Sequence, residues 1–476
     1  MFLLIYMLLL AILGAPLLLL EMFLGQYSGL APIRVFRHLS PVLTGLGLAM
    51  CIQASLRAVL ELGVSMWLGQ GMFRLFYQQT IREEMFEEDI LNKEDSSLES
   101  LGALSTQLLL VLGIAALTVF VLVVAGTRAV GKVCMVAVPA CYMLLVTLVI
   151  RTCLCTGGPQ GVLTFLRPEW SLLKEPTIWL EAASQVIFSL QLGLGAITAY
   201  ARYSSFRHNI VRDSIIIMVS HLVWVLLAML LTFSLLGVAT STEQLSIGEG
   251  SEVIVSITGH GVWLAGQTLL EKALMTISYG WLWAGLYFLL LTAVSVTSLF
   301  GYLEIITSSL ASIRPGFVKL KPIVTFIVLA LIFLMTISLA TQGGIHVYHL
   351  LLTYISAWPV LLFSLLAVLA TTLCHGTNYL MKDLADMSKL SLPHWVTSHL
   401  SVIYTTVLPI FLAVTIRLFQ AIFNQEYSRL LLAGCYTSSL LTIWRSLLQL
   451  LASPSPSTGA SSLAGHSQLS LSFPWY

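Results

Sequence analysis

Long apolar segments separated by short polar connections run along almost the whole chain. A segment of about 20 apolar residues is long enough to cross the hydrocarbon core of a bilayer as an α-helix. Segments of this kind lie near residues 2–24, 43–75, 106–126, 131–153, 179–203, 213–238, 278–311, 323–341, 347–373, 397–418 and 428–450. The pattern predicts an all-α polytopic membrane protein with about 11 transmembrane helices.

The segment from Trp179 to Phe206 is apolar enough to cross a bilayer, but polar residues and glycines interrupt its middle. The interruption contains Ser189, Gln191, Gly193 and Gly195. Irregular backbone is tolerated at membrane depth only where protein or a water-filled cavity satisfies its N–H and C=O groups. In secondary transporters, the unwound middle of a broken helix supplies carbonyl groups to ions and a helix end to the substrate. The segment therefore predicts a transport site.

Composition supports the membrane assignment and excludes several functions. Hydrophobic residues make up 58% of the chain and charged residues 9%, and the mean hydropathy is +0.92. A soluble domain of 476 residues does not have this balance. The net charge is +1, and the sequence has no basic tract, phosphate-binding loop or metal-spaced cysteine and histidine cluster, so no nucleic acid partner is expected. No nucleophile and base stand in a recognisable arrangement, so an enzyme is not expected either.

Charged residues predict which side of the bilayer each connection faces. Positive residues occupy alternate connections, which the positive-inside rule assigns to the cytoplasm. These residues are Arg34, Arg37, Arg128, Lys132, Arg202, Arg207, Arg212, Arg314, Lys319, Lys321, Lys382 and Lys389. The acidic segments 76–105 and 239–277 are then extracellular loops within one transmembrane domain, 1–451. The amino terminus is expected outside, and the Ser/Pro-rich tail 452–476 is expected to be disordered and cytoplasmic.

Several motifs occur in a fixed order along the chain. They are GAPLLLLEMFLGQYSG from Gly14, WLEAASQVIFSLQLGLG from Trp179, FGYLEIIT from Phe300, TQGG from Thr341 and HGTNYLMKDLADM from His375. In order and spacing they resemble the neurotransmitter:sodium symporter family, the sodium- and chloride-dependent carriers of amines and amino acids. The resemblance runs from Phe2 to about Leu450. It implies a LeuT-type inverted-repeat transporter fold in the plasma membrane, with a small-molecule amine or amino acid as substrate.

The resemblance also bears on the start of the chain. Met1 already lies in the first apolar segment, which lacks the basic region of a signal peptide. The chain begins where the family's second helix begins, so helices two to twelve are expected and the first helix is expected to be absent. In the family, that first helix is the partner of the broken sixth helix. Its absence favours inactivity of this chain by itself.

Two sodium sites are implied by the resemblance. The first would use Ser189 and His221, but a histidine nitrogen is a poor ligand for sodium, which prefers oxygen. The second would use the carbonyl of Val294 and the hydroxyls of Thr297 and Ser298, although these hydroxyls also suit ordinary helix packing.

A chloride site is implied at Tyr6, Gln185 and Ser189, whose hydroxyl and amide groups can donate to an anion. The two remaining family positions correspond to His221 and Val225, so the set is incomplete. Protonated His221 would supply a positive charge near the anion. A neutral, hydrogen-bonded histidine in the core is the alternative.

The substrate site implied by the resemblance has an aromatic lid, an unwound stretch and a lower wall. The corresponding residues are Phe188, Ser189, Gln191, Gly193, Leu194, Tyr302 and Glu61. Glu61 replaces a family tyrosine, and it stands one helical turn after Arg57. One interpretation is a structural Arg57–Glu61 pair. The other is that Glu61 faces the pocket and favours a cationic amine over an amino-acid carboxylate.

Two functional interpretations follow. The first is a sodium-coupled symporter for an amine or amino acid, working by alternating access. The second is a non-transporting, degenerate or truncated family member that acts as a membrane scaffold or partner. The departures at His221, Val225 and Glu61 favour the second interpretation, whereas the intact broken-helix motif favours the first.

Overall fold

The computed structural model describes residues 1–78, 102–168, 170–243, 273, 277–313, 320–356, 358–388 and 403–404. The helix predicted near 428–450 lies outside these residues, and so does the helix predicted near 397–418 apart from residues 403–404. Most of both acidic loops and the whole tail lie outside them as well. In the described part, the one β-type pairing is an isolated bridge between Leu104 and Thr341. The observed architecture is otherwise built from helices and turns.

The helices are numbered in chain order from α1 to α14. They are α1 Phe2–Ser28, α2 Pro32–Leu39, α3 Thr44–Gln78, α4 Thr106–Val124, α5 Thr127–Cys153, α6 Gly158–Leu166, α7 Pro176–Ser189, α8 Ala196–Ala201, α9 Ile210–Glu243, α10 Gly280–Ile313, α11 Lys321–Thr336, α12 Gly344–Ser356, α13 Trp358–Cys374 and α14 Thr377–Ser388. Helix α1 includes a π-helical turn over Leu10–Gly14.

Within the described residues, 7 helices are long and apolar enough to cross a membrane, or up to 8 if the bent pair Pro359–Cys374 and Thr377–Met387 forms one span. The prediction of an all-α polytopic membrane protein is confirmed. The segment predicted near 179–203 is divided between α7 and α8, which are separately too short to span. The segment predicted near 347–373 corresponds to α12 and α13, and Pro359 stands in the first turn of α13, where its missing N–H is tolerated.

Close backbone contact holds α1 against the broken segment. A Cβ on Gly25 of α1 would lie 2.3 Å from the Thr198 carbonyl oxygen of α8, so only glycine fits there without displacement. At the next residue, the Gln26 side-chain amide donates to the carbonyl oxygens of Ser205 at 2.8 Å and His208 at 2.9 Å. Helix α1 therefore positions both α8 and the connection that follows it.

Candidate transport site at a broken helix

The break between α7 and α8 has a left-handed backbone at three positions. Gln191 has φ of 54°, Gly193 of 75° and Gly195 of 78°. A left-handed conformation is costly for a residue with a Cβ and routine for glycine. A Cβ on Gly193 would also lie 2.5 Å from the Ser364 hydroxyl oxygen and 2.6 Å from the Val360 carbonyl oxygen. The helix is thus interrupted at the residues where the sequence predicted the interruption, and α13 packs directly against it.

A buried carboxylate from α1 supports this break. The Gly193 backbone N–H donates to Glu21 Oε1 at 2.5 Å, and the Thr198 hydroxyl donates to the Glu21 carbonyl oxygen at 3.2 Å. Glu21 is 4% exposed. The sequence interpretation did not include Glu21 in the site. The sequence signal that could have identified Glu21 is its position as an ionisable residue inside an apolar segment, because such residues mark candidate functional sites.

Three side chains from α1, α7 and α9 form a closed hydrogen-bonded triangle. The Tyr6 hydroxyl lies 2.7 Å from His221 Nε2 and 2.9 Å from the Ser189 hydroxyl, and Ser189 lies 3.2 Å from His221 Nε2. The Ser189 hydroxyl also lies 3.3 Å from the Val186 carbonyl oxygen, to which it can donate. When His221 carries its proton on Nε2, it can donate to the Tyr6 hydroxyl, Tyr6 can donate to Ser189, and Ser189 can donate to the Val186 carbonyl oxygen.

The triangle contains residues of two ion sites implied by the resemblance, the first sodium site and the chloride site. Its three polar atoms are within hydrogen-bond distance of one another, so an ion bound among them would have to replace these bonds. Gln185 lies one turn before Ser189 on α7, and its side chain is exposed. Tyr6, Ser189 and His221 are therefore brought together, whereas Gln185 is not part of this triangle.

The residues implied for the second sodium site lie together on α10. The Thr297 hydroxyl donates to the Val294 carbonyl oxygen at 2.8 Å, and the Ser298 hydroxyl lies 3.2 Å from the same oxygen. The hydroxyl oxygens keep lone pairs for a further partner, whereas the Val294 carbonyl oxygen already accepts both hydrogen bonds. Oxygen donors suit a hard cation such as sodium. The group can therefore form part of a cation site.

A cavity of about 700 Å³ lies beside these oxygens. Its lining includes Gln191 from the break, Tyr200 from α8, Arg128 from α5, and Thr297 and Ser298 from α10. The cavity joins the left-handed stretch to the α10 oxygens. Irregular backbone at membrane depth therefore borders open space that can hold water or a solute.

The residues implied for substrate binding surround a pair of opposite charges. The Arg57 guanidinium lies over the Phe188 ring, 4.1 Å from its centroid. The Glu61 carboxylate accepts a hydrogen bond from the Ser295 hydroxyl at 2.8 Å. Arg57 and Glu61 attract each other electrostatically, and both interact with Tyr302. Glu61 is thus near Phe188 and Tyr302, and Arg57 is closer to the aromatic lid than the sequence indicated.

The remaining substrate residue, Leu194, is 2% exposed in the core beside the break. Gln191 is half-buried, and its Oε1 would lie 3.5 Å from a Cβ placed on Gly301 of α10. The break is therefore close to α10, the helix that carries Val294, Thr297 and Ser298.

Comparisons with known proteins cover most of the chain. The family model described as the sodium:neurotransmitter symporter family matches residues 1–78 and 69–444. A sodium-dependent serotonin transporter of Drosophila melanogaster is 26% identical in an alignment of 412 residues, and the alignment covers 79% of this chain and 64% of that protein. The sodium- and chloride-dependent GABA transporter ine of the same organism is 25% identical in an alignment of 426 residues that covers 80% of this chain and 44% of that protein.

A third relative is the sodium- and chloride-dependent GABA transporter 2 of Rattus norvegicus. It is 25% identical in an alignment of 419 residues that covers 80% of this chain and 68% of that protein. The matched part of the chain thus spans between 44% and 68% of the length of these relatives.

Proposed function

This chain belongs to the sodium:neurotransmitter symporter family, and on that premise we propose that it is a sodium-coupled symporter for an amine or amino acid in the plasma membrane. The observation that carries the proposal is the break in the helix, where Gln191 lines the same cavity as Thr297 and Ser298. This arrangement suits a site where a solute and an ion meet at membrane depth. Covalent chemistry plays no part in the proposal.

Sodium is proposed to bind at Val294, Thr297 and Ser298 as a co-transported substrate. Their carbonyl and hydroxyl oxygens match the preference of sodium for oxygen ligands. The inward sodium gradient would then supply the free energy of uptake. Ser189 and His221 fit a sodium ion less well, because they bond to each other and to Tyr6 and because one of their donors is nitrogen.

Chloride appears in the names of two relatives, but the corresponding residues of this chain do not fit the ion well. The Tyr6 and Ser189 hydroxyls are already bonded within the closed triangle, and the exposed Gln185 side chain is not part of it. The proposed mechanism therefore has no chloride step.

Substrate is proposed to bind between the break and its aromatic surroundings. Phe188 would form the lid, Ser189, Gln191 and Gly193 the unwound wall, and Leu194, Tyr302 and Glu61 the remaining sides. Alternating access would expose this position to each side of the membrane in turn, with sodium and substrate stabilising the occluded state together.

A non-transporting role as a membrane scaffold or partner is the second candidate. It is favoured by the charges and hydrogen bonds that already satisfy one another inside the site, namely Arg57 over Phe188 and the triangle at His221. Such a protein would retain the fold but would not transport a substrate.

Uptake measurements separate the two candidates. Cells expressing the protein would be given labelled amino acids and amines in sodium medium and in choline medium. Transport predicts sodium-dependent uptake of at least one compound, and Ser298→Ala should reduce it because the variant removes one sodium ligand. Surface-expressed protein without uptake of any compound would support the scaffold role instead.

A further inference from the structure

A positively charged side chain lies inside the proposed substrate site and is almost fully enclosed by protein. Arg57 is 3% exposed, although it stands in the middle of the candidate membrane span Pro41–Tyr77. Burying a charge at this depth is costly unless the surroundings compensate it. The surroundings of Arg57 therefore have to form a site for a cation.

Those surroundings have the chemistry that recognises a cationic amine. The guanidinium carbon lies 4.1 Å from the centroid of Phe188, within the range of cation–π attraction. The Glu61 carboxylate, one turn away on α3, attracts the charge. Tyr302 and Tyr348 also lie near Arg57. An aromatic face beside a carboxylate is a typical binding site for an ammonium or guanidinium group.

Ser295 holds the carboxylate in position for this role. Its hydroxyl donates to Glu61 Oε2 at 2.8 Å and lies 2.8 Å from the Glu61 carbonyl oxygen. The carboxylate is thus fixed by α10 rather than by Arg57 alone. The Glu61 carboxyl group would therefore stay in position if the Arg57 side chain were removed.

We infer that Arg57 is an internal cation that occupies the amine-binding position of this site and excludes cationic amines from it. With Arg57 present, the charges of Arg57 and Glu61 sum to zero. A second cation would meet repulsion and no vacant aromatic face. The inference rests on the proposed function in treating Phe188 and Tyr302 as walls of the substrate site. It restricts the substrate to molecules without a net positive charge, such as zwitterionic amino acids.

Removing the tethered cation should open the position to free cations. Arg57→Ala deletes the guanidinium and leaves a cavity lined by Phe188, Glu61 and Tyr302, and internal cavities can bind molecules of matching shape and polarity. In purified Arg57→Ala protein, methylguanidine, phenethylamine and tyramine are expected to bind at least tenfold more tightly than to the unchanged protein. Thermal stabilisation and equilibrium binding would measure this gain.

Three matched variants test whether loss of the Arg57 charge causes this gain in cation binding. Arg57→Lys keeps the positive charge and should gain no binding. Arg57→Ala combined with Glu61→Gln should lose most of the gain, because the compensating carboxylate is gone. Arg74→Ala removes a guanidinium about 25 Å farther along the same helix, at 1.5 Å per residue, and should behave as the unchanged protein does.

If Arg57→Ala does not yield folded protein, Arg57→Gln provides the same test with a longer neutral side chain. Equal amine binding by the unchanged protein and by the neutral variants would overturn the inference, as would failure of both neutral variants to bind any of the cations. Because binding is measured on purified protein, an absence of uptake contradicts the transport proposal alone. A missing gain in binding contradicts the role of Arg57 alone.

Discussion

At the scale of single residues, the broken helix depends on contacts between positions far apart in the sequence. Glu21 accepts a hydrogen bond from the Gly193 N–H, and the backbone of Gly193 approaches Val360 and Ser364. The first contact satisfies a polar group that the break frees from helical bonding. The second leaves no space for a side chain. Both contacts hold the unwound stretch in one conformation.

Replacement of Glu21 tests the first contact. Glu21→Ala leaves the buried Gly193 N–H without its acceptor, which is expected to cost about 1–3 kcal/mol of stability. Glu21→Gln keeps a side-chain oxygen that can accept the bond, so its loss should be smaller. Thermal unfolding of the purified protein would measure both, with the exposed Glu181→Ala as control. Equal unfolding temperatures for all variants would contradict the supporting role of Glu21.

Replacement of Gly193 tests the close approach of its backbone to Val360 and Ser364. Gly29, which also has a left-handed backbone, is the control. In Gly193→Ala, the new Cβ would lie 2.5 Å from the Ser364 hydroxyl oxygen, and alanine would have to adopt a φ of 75°. The variant therefore combines a steric clash with backbone strain. Gly29→Ala has a φ of 63° and no atom within 4 Å of its new Cβ, so it carries only the backbone cost, about 1–2 kcal/mol. Gly193→Ala should therefore lower the unfolding temperature more than Gly29→Ala. The reverse order would show that α13 does not pack against the break.

At the scale of helices, the triangle of Tyr6, Ser189 and His221 connects three elements. Tyr6 belongs to α1, Ser189 ends α7, and His221 lies within α9. A network of this kind links the motion of the helix before the break to its two neighbours. The energy of the network is a property of the group, so single substitutions do not apportion it.

A double-mutant cycle between Tyr6 and His221 measures this connection. Tyr6→Phe removes both of its hydrogen bonds in the triangle, and His221→Leu removes the ring nitrogen. The coupling energy between them is expected to be about 0.5–3 kcal/mol. Denaturant unfolding of the two single variants and the double variant provides the measurement, and the exposed Tyr379→Phe is the matched control. Additive effects at Tyr6 and His221 would contradict a shared hydrogen bond.

The helices were more predictable from the sequence than the contacts between them. Apolar length identified the spans. Gly193 and Gly195 marked the break because glycine suits a left-handed backbone, and Gln191 marked it because it is polar within an apolar segment. Local periodicity did not indicate that the segment near 347–373 forms two helices. Nor did it place Arg57 over Phe188, since the i,i+4 spacing indicated only its neighbour Glu61. Contacts of that kind depend on tertiary packing.

At the scale of the whole molecule, charged residues gather near one end of the bundle. Glu304 of α10 is 4% exposed, and it accepts hydrogen bonds from Tyr203 at 2.7 Å and from Lys321 at 3.1 Å. Arg202 also lies 3.3 Å from its carboxylate. Arg202 and Lys321 both belong to connections assigned to the cytoplasm by the positive-inside rule. Their meeting at one carboxylate agrees with that shared assignment.

Cysteine labelling tests the orientation that this arrangement implies. Cys134 lines the cavity beside Tyr203 and Arg128, so it should be reached from the cytoplasm. In a protein that keeps only Cys134, a membrane-impermeant maleimide is expected to react in permeabilised cells and not in intact cells. In a matched protein that keeps only Cys141, which is buried on the same helix, no labelling is expected in either preparation. Labelling of Cys134 in intact cells would contradict the proposed orientation.

Sodium-driven uptake into proteoliposomes tests sodium-coupled transport most directly. Purified protein would be reconstituted, and initial uptake of a labelled amino acid would be compared with and without an inward sodium gradient. The proposed function predicts uptake that requires the gradient and falls at least tenfold in the combined variant Thr297→Ala and Ser298→Ala. Uptake of equal rate without sodium, or no uptake of any amino acid or amine by folded protein, would contradict it.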